Sequence, residues 1–291
     1  MANKRLEIRK TYKLYAGGNF VRSESGRVLS ARTASGALLD NYSHASRKDL
    51  RNAVVSARAA LDGWSKKSAY LRGQILYRAA EMLQCRAGEL VHEVQRSLGS
   101  STAKAQAEVT ATIDRIVYFA GWTDKYSQVF SSVNPVATPH FNFTLPEPVG
   151  VVAVVAPDEP SLLGFVSMIL PALVSGNTTV ALTSDAFPLP ALTFGEILAT
   201  SDLPAGVVNI LSGKRAELAS HLASHMDINA ILDGAGVPVI NRTLQGGSGA
   251  NLKRYARRDL SKADWLGPKA EEPWSILETV EFKTAWHPIG M

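Results

Sequence analysis

A single cysteine, Cys85, is the only thiol among 291 residues, and it lies in a helical stretch from Arg72 to Arg86. A cysteine inside a helix and packed among Leu and Met reads as a small inert hydrophobe, not as a nucleophile. One cysteine also rules out an internal disulfide or a thiolate zinc site, which suits a reducing compartment. His221 and His225 stand four apart on one predicted helix face. That is a zinc-like spacing, but the Glu of a metalloprotease helix and a third ligand are missing, so surface histidines and no metal are expected. Asp158 and Glu159 are adjacent carboxylates just before a predicted helix, where they read as dipole partners of its N-terminus more readily than as an acid/base pair. Gly246-Gly-Ser-Gly-Ala narrowly misses the Gly-x-Ser-x-Gly nucleophile elbow and follows no buried strand, so a flexible loop is expected. Lys253, Arg254, Arg257 and Arg258 read as a solvated basic face or, less readily, a docking surface for an acidic partner. No catalytic residue emerges from these groups.

The elements that would position them follow from periodicity. Tyr12 to Arg27 alternates around Gly17-Gly18, the pattern of a short hairpin whose turn needs positive φ. From Arg47 to Tyr126 the period is helical: Leu50, Val54, Ala57, Leu61 and Trp64 share one stripe, and Val109, Ile113, Ile116 and Phe119 another. Four prolines between Ser131 and Pro148 predict an edge hairpin or arm around His140-Phe-Asn-Phe-Thr. Val149 to Val155 is an apolar, mostly β-branched run, the mark of a strand buried on both faces. Helix 161–175, strand 178–182, helix 190–200, strand 207–211, helix 216–225 and strand 228–232 then alternate. That rhythm predicts an α/β fold with a doubly wound parallel sheet. The organisation expected is a hairpin and helical part (1–130), an arm hairpin (131–147), the Rossmann-like sheet (148–240), a loop-rich connector (241–273) and a final strand (274–291).

Composition sets outer limits. A hydrophobic fraction of 46% with 20% charged residues belongs to an ordinary globular chain. A net charge of +5 without a basic stripe argues against a dedicated nucleic-acid binder. The opening Met1 to Lys10 lacks the apolar core of a secretory leader, and no apolar run is long enough to span a bilayer, so no membrane partner and a cytoplasmic location are expected.

Several segments, in order, resemble the aldehyde dehydrogenase superfamily: Leu14-Tyr-Ala-Gly-Gly-Asn-Phe-Val, Asp49 to Trp64, Arg72-Gly-Gln-Ile-Leu, Glu147-Pro-Val-Gly-Val-Val-Ala-Val-Val, Leu170-Pro-Ala-Leu-Val-Ser-Gly-Asn and Leu203-Pro-Ala-Gly-Val-Val-Asn-Ile-Leu-Ser-Gly. The resemblance covers about residues 12 to 236. More narrowly, Ala156-Pro-Asp-Glu-Pro, Gly249-Ala-Asn-Leu-Lys and Lys283-Thr-Ala-Trp-His-Pro-Ile-Gly resemble the cysteine-less, pseudoenzyme half of the fused two-part members, family 16.

The resemblance implies what each position would do. Active members place an Asn amide at an oxyanion, where Glu159 now stands with the wrong charge. Their ribose-clamping Lys and Glu fall on Leu182 and Asp185, with Ser184 between. Their pyrophosphate loop falls on Leu232 to Val239, where Gly234 is kept, Val239 replaces a Gly, and Asp233 would repel phosphate. The degenerate cofactor positions are therefore Pro157, Ser184, Asp185, Gly213 and Gly234. After Asn251-Leu-Lys the sequence departs from the family and shows neither the general-base Glu nor a nucleophilic Cys. No cofactor is expected, with NAD or NADP as the alternative. The resemblance further implies assembly through the arm and the last strand, with Phe141, Phe143, Phe282 and Trp286 as contact residues. The partner would be an active aldehyde dehydrogenase subunit, a second copy, or both. The chain thus reads as a catalytically inactive structural subunit, and the rival reading is a nucleotide-binding, oxidoreductase-like protein.

Overall fold

The structure is a computed structural model and describes residues 8–290. Residues 1–7, on which most of the leader reading rests, and Met291 lie outside the described residues.

Strands β1 (Thr11–Tyr12), β2 (Leu14–Ala16), β3 (Asn19–Val21), β4 (Val28–Arg32) and β5 (Leu38–Ser43) open the chain. Helices α1 (Arg47–Ser65), α2 (Ala69–Cys85), α3 (Ala87–Leu98), α4 (Thr102–Ala120) and α5 (Tyr126–Phe130) follow, then β6 (Ser132–Asn134) and β7 (His140–Pro148). The alternating part runs β8 (Val151–Val155), α6 (Leu163–Val174), β9 (Thr178–Leu182), α7 (Leu189–Leu198), β10 (Val208–Leu211), α8 (Arg215–Ser224), β11 (Ala230–Asp233), α9 (Pro238–Ser248) and β12 (Arg254–Arg257). The short α10 (Lys262–Leu266), two 3-10 segments and β13 (Val280–Pro288) complete it.

Every residue of β8, β9, β10 and β11 is buried, as strands covered by helices on both faces must be. They form the middle of a seven-stranded sheet of order β12-β11-β8-β9-β10-β2-β3. β12 through β10 in that order are parallel, whereas β2 and β3 add an antiparallel edge. The chain steps from β8 through β9 to β10, then returns across the sheet to β11. Its winding therefore reverses between β8 and β11, and this is where ligands of such sheets bind, beyond the carboxyl ends of the strands.

The helical layer anchors this sheet. Ser46 caps α1 and Asp49 returns the bond to the Ser46 backbone, a reciprocal capping box that fixes where the helix starts. Fully buried Trp64 donates its Nε1–H to the Leu173 carbonyl at 3.2 Å, which ties α1 to the end of α6. Arg115 of α4 is likewise buried: it donates to Ser167 Oγ (2.7 Å), to the carbonyls of Ala270 (3.0 Å) and Trp265 (3.0 Å), and to Glu271 (3.3 Å). With Trp265 also buried, this segment after the sheet is clamped onto α4 and α6.

Several expectations change. The predicted hairpin forms at Gly17 (φ 59°) and Gly18 (φ 76°), and Tyr15 pairs with Ile210, which joins it to the main sheet. The segment read as a connector supplies edge strand β12, because its Arg254 to Arg257 backbone pairs in parallel with β11. Gly246-Gly247-Ser248 is the end of α9 and not a loop. A Cβ on Gly247 would stand 2.5 Å from that of Ala223, so the small residue lets α9 lie close on α8. Cys85 is exposed. The buried stripe of α2 runs Ile75, Leu76, Ala79, Ala80 and Leu83, and a residue two past Leu83 points to the opposite side.

Strands β6, β7 and β13 form a separate three-stranded antiparallel sheet of order β13-β7-β6. Phe282 opposes Pro146, Trp286 opposes Asn142, and Phe141 and Phe143 oppose His287 and Ala285. Directly paired residues share a face, so Phe141 and Phe143 lie on one side of this arm and Phe282 and Trp286 on the other. The 2.8 Å contact between the Thr144 and Thr284 hydroxyls fits this register. Phe141, Phe282 and Trp286 are exposed.

Candidate functional site

The switch point collects the carboxyl ends of β8, β9, β10 and β11. Pro157 follows β8, Ser184 and Asp185 follow β9, Gly213 follows β10 and Gly234 follows β11, so all five positions inferred from the resemblance lie on one edge. What fills that edge is a network of charges.

Asp158 is its centre. Its Oδ1 accepts from Ser184 Oγ (2.8 Å), from the backbone N–H of Asp185 (3.0 Å) and from that of Ala186 (3.3 Å). Arg215, the first residue of α8, donates Nη2–H to the same carboxylate. Arg215 also binds Asp185 twice, through its backbone N–H at 3.0 Å and its Nε–H at 3.2 Å. The arginine side chain is 1% exposed while both carboxylates face partly outward. Burial raises Asp185 above its ordinary range, and the neighbouring Arg215 opposes that shift. Ser184 Oγ further accepts from the Phe187 N–H at 2.8 Å, so its hydroxyl is committed to the turn.

The β11 end is tied down in a similar way. Asp233 is fully buried. Its oxygens accept from the Ala235 N–H (3.0 Å), Asn241 Nδ2 (2.5 Å) and the Tyr255 hydroxyl (2.8 Å). The Tyr255 hydroxyl is pushed up to about 12, first by burial and then by its bond to this carboxylate. A Cβ on Gly234 would meet Pro157 Cδ and the Val155 carbonyl, each at 3.2 Å, so Gly234 and Pro157 pack against each other. Gly213, at φ 148°, lies against His44, whose Cδ2 would be 2.7 Å from an added Cβ. At the start of α9, Pro238 offers no N–H and Val239 is exposed.

The two carboxylates expected at the α6 N-terminus are engaged elsewhere. Asp158 serves Arg215, and Glu159 pairs with Lys262 Nζ at 2.5 Å. Glu108 of α4 caps α6 instead, accepting from the backbone N–H of Leu162 at 2.9 Å and of Leu163 at 3.4 Å. Its burial raises it above the ordinary carboxylate range, against those two bonds. Sequence reasoning missed Glu108, although a Glu three residues past buried Ala105 and one before Val109 sits on the buried stripe of α4. It also missed Arg215, whose surroundings Gly213-Lys-Arg-Ala-Glu give no local signal.

The basic cluster divides. Lys253 is buried and donates to the Ala223 carbonyl at 2.5 Å, and Arg258 pairs with Glu278 at 2.6 Å, so only Arg254 and Arg257 remain as an exposed face on β12. His221 and His225 gain no third His, Cys, Asp or Glu that could complete a metal site among the described residues. No helix of the described residues is long and apolar enough to cross a membrane. The switch-point edge therefore holds two carboxylates on one guanidinium beside Asp233 bonded to neutral donors, and it carries no thiol, since Cys85 ends α2.

Comparison with known proteins places this geometry. The model of the aldehyde dehydrogenase family matches residues 20–257. Cytosolic 10-formyltetrahydrofolate dehydrogenase of Mus musculus is 30% identical over 285 residues, covering 91% of this chain and 32% of that protein. Retinal dehydrogenase 2 of Gallus gallus is 34% identical over 257 residues, covering 86% and 48%. Among solved structures, PnpE from Pseudomonas sp. WBC-3 is 29% identical with a TM-score of 0.80, covering 85% of this chain and 50% of that one. Another PnpE structure, with the same identity and TM-score, is a complex with nicotinamide adenine dinucleotide. The chain spans half or less of the length of these relatives.

Proposed function

Because the chain belongs to the aldehyde dehydrogenase family, we propose that it is a catalytically inactive member acting as a structural or assembly partner of an active aldehyde dehydrogenase, of a second copy, or of both. The observation that carries this reading is the arm sheet. It presents Phe141, Val133 and Leu145 on one face and Phe282 and Trp286 on the other, and all five are exposed. Exposed apolar groups on both faces of a small sheet favour being covered. A likeness to the cysteine-less half of the two-part members agrees with this reading.

The placement of the thiol and of the charges supports inactivity. Cys85 ends α2 at the surface, remote in the chain from every strand end at the switch point. Where an oxyanion would need a neutral donor, Glu159 and Lys262 neutralise each other. The residues present also fit a nicotinamide dinucleotide poorly. Asp185, the one candidate for a ribose hydroxyl, is held by Arg215, and Ser184 by Asp158.

Sedimentation of the purified chain, alone and mixed with a full-length aldehyde dehydrogenase from the same host, tests the assembly role. Association that is lost in Trp286→Ser is expected, and a persistent monomer in both samples would sink the proposal.

The second reading, a nucleotide-binding oxidoreductase-like protein, draws on the converging strand ends and on the dinucleotide complex of PnpE. Calorimetry with millimolar NAD and NADP separates the two readings, since heat of binding would favour the second.

A further inference from the structure

The two histidines that lack a metal partner belong to a different constellation. His221 and Ser224 at the end of α8, with His225 and Met226 just beyond, line one cleft of about 300 Å³ with Arg47, Leu50 and Arg51 of α1. Arg47 and Arg51 lie four apart, which puts both guanidinium groups on the same side of the first turns of α1. Neither guanidinium, nor the His221 ring, has a hydrogen bond or ion pair among the described residues. His225 Nδ1 accepts the Asp227 N–H at 3.3 Å, which leaves the proton of the neutral ring on Nε2 as a free donor. Ser224 donates its hydroxyl proton to the Ser220 carbonyl at 2.9 Å and keeps its lone pairs.

The field in this cleft is positive. Burial lowers His225 below the ordinary histidine range; Asp227 acts the other way, and Lys253, Arg51 and Arg58 add to the lowering. Three cations around one ring, with one carboxylate opposing them, describe a place short of negative charge. The floor is apolar: Leu50 is buried and Met226 is exposed beside it. A cleft of this size is at the small end of small-molecule sites, which run from about 300 to 1,000 Å³.

We propose that the cleft between α1 and α8 binds a small organic phosphomonoester, with Arg47 and Arg51 holding the phosphate and Leu50 and Met226 receiving the organic part. Planar guanidinium forks match phosphate oxygens in pairs, and two of them cover a group with three free oxygens better than a single carboxylate. The imidazoles of His221 and His225 supply further donors from α8. A phosphodiester has fewer free oxygens per phosphorus, so a monoester offers the two guanidinium groups and the imidazoles more acceptors. None of these residues takes part in the network at the carboxyl ends of the strands, so the site stands apart from the family reading above.

Calorimetry on the full chain tests this with phenyl phosphate, inorganic phosphate and an oligonucleotide whose phosphates are all diesters. Phenyl phosphate should bind more tightly than inorganic phosphate, and its binding should move the ring resonances of His221 and His225. The double variant Arg47→Ala, Arg51→Ala should weaken it about tenfold or more, the scale of losing charged hydrogen bonds, while the unfolding midpoint stays put because both side chains are exposed. Should the double variant prove unstable, His221→Ala with the same titration replaces it, with a smaller loss expected. Absence of heat at millimolar phenyl phosphate, equal binding by the variants, or tighter binding of the oligonucleotide would each overturn the proposal.

Discussion

Arg215 and Asp158, 57 residues apart in the chain, meet beyond the end of β9, which lies between β8 and β10, and the same guanidinium holds Asp185 just after β9. One buried cation thus fastens together the loops after two strands and the start of α8. The relation accounts for the state of the edge where a nucleotide would lie: Asp158 and Asp185 are already engaged by one guanidinium.

Arg215→Ala leaves Asp158 and Asp185 without their cation. Because the carboxylates are partly exposed, water recovers part of the loss, and a destabilisation of about 1–3 kcal/mol is expected in urea unfolding. If the network also blocks the nucleotide, the variant should show a rise in melting temperature with NAD that the parent chain lacks.

Trp265→Ala should cost about 3–5 kcal/mol, the range for emptying a large buried aromatic position. The loss reflects both the cavity and the loosening of the backbone carbonyl that Arg115 holds at 3.0 Å. Denaturant midpoints of this variant beside Leu266→Ala, whose side chain is exposed, would separate a clamp from a passive tail.

Cys85→Ser should shift stability by no more than about 0.5 kcal/mol, as for other exposed positions. In the native parent chain one thiol should react promptly with a disulfide reagent, and a slow reaction appearing only on unfolding would contradict the exposed placement.

Glu108 sets a pH dependence whose sign follows from its burial. Its folded value is raised above the ordinary 4.5, so the folded chain holds that proton more tightly than the unfolded chain. The stability this contributes is complete below the unfolded value and is lost as pH rises through the folded one. Glu108→Gln keeps an oxygen for the Leu162 and Leu163 N–H groups but cannot ionise. Its urea midpoint relative to the parent should therefore improve between pH 4 and neutrality, and a flat difference would exclude Glu108 as the source.

The arm residues face opposite ways, so their substitutions should be separable. Phe141→Ser and Trp286→Ser alter different sides of one sheet. If a single partner covers one face, sedimentation will respond to one substitution only; a response to both requires contacts on two sides.

The sequence alone was enough for the alternating core. Val149 to Val155 is apolar at every position, and strand-like and helix-length segments alternate after it, so the parallel sheet follows from patterns that lie within about a dozen residues. Strand Thr178–Leu182 falls where its β-branched run places it. The arm hairpin was equally legible from its prolines, and the resemblance identified the five positions that converge at the strand ends. Tertiary structure decided what those positions touch. Asp158 reads as a dipole partner of the following helix, and Asp233 as a charge that would repel phosphate, because adjacency and charge are local properties. Each proved to be engaged by residues supplied from other elements: Arg215 for the first, Asn241 and Tyr255 for the second. Gly246-Gly247 reads as a loop by composition, yet both lie in α9, and Gly247 stands where Ala223 of α8 leaves no room for a side chain. Periodicity reports which face of an element is buried, but the partner of a buried charge is chosen by which loops the sheet brings to the same edge, and that depends on strand order.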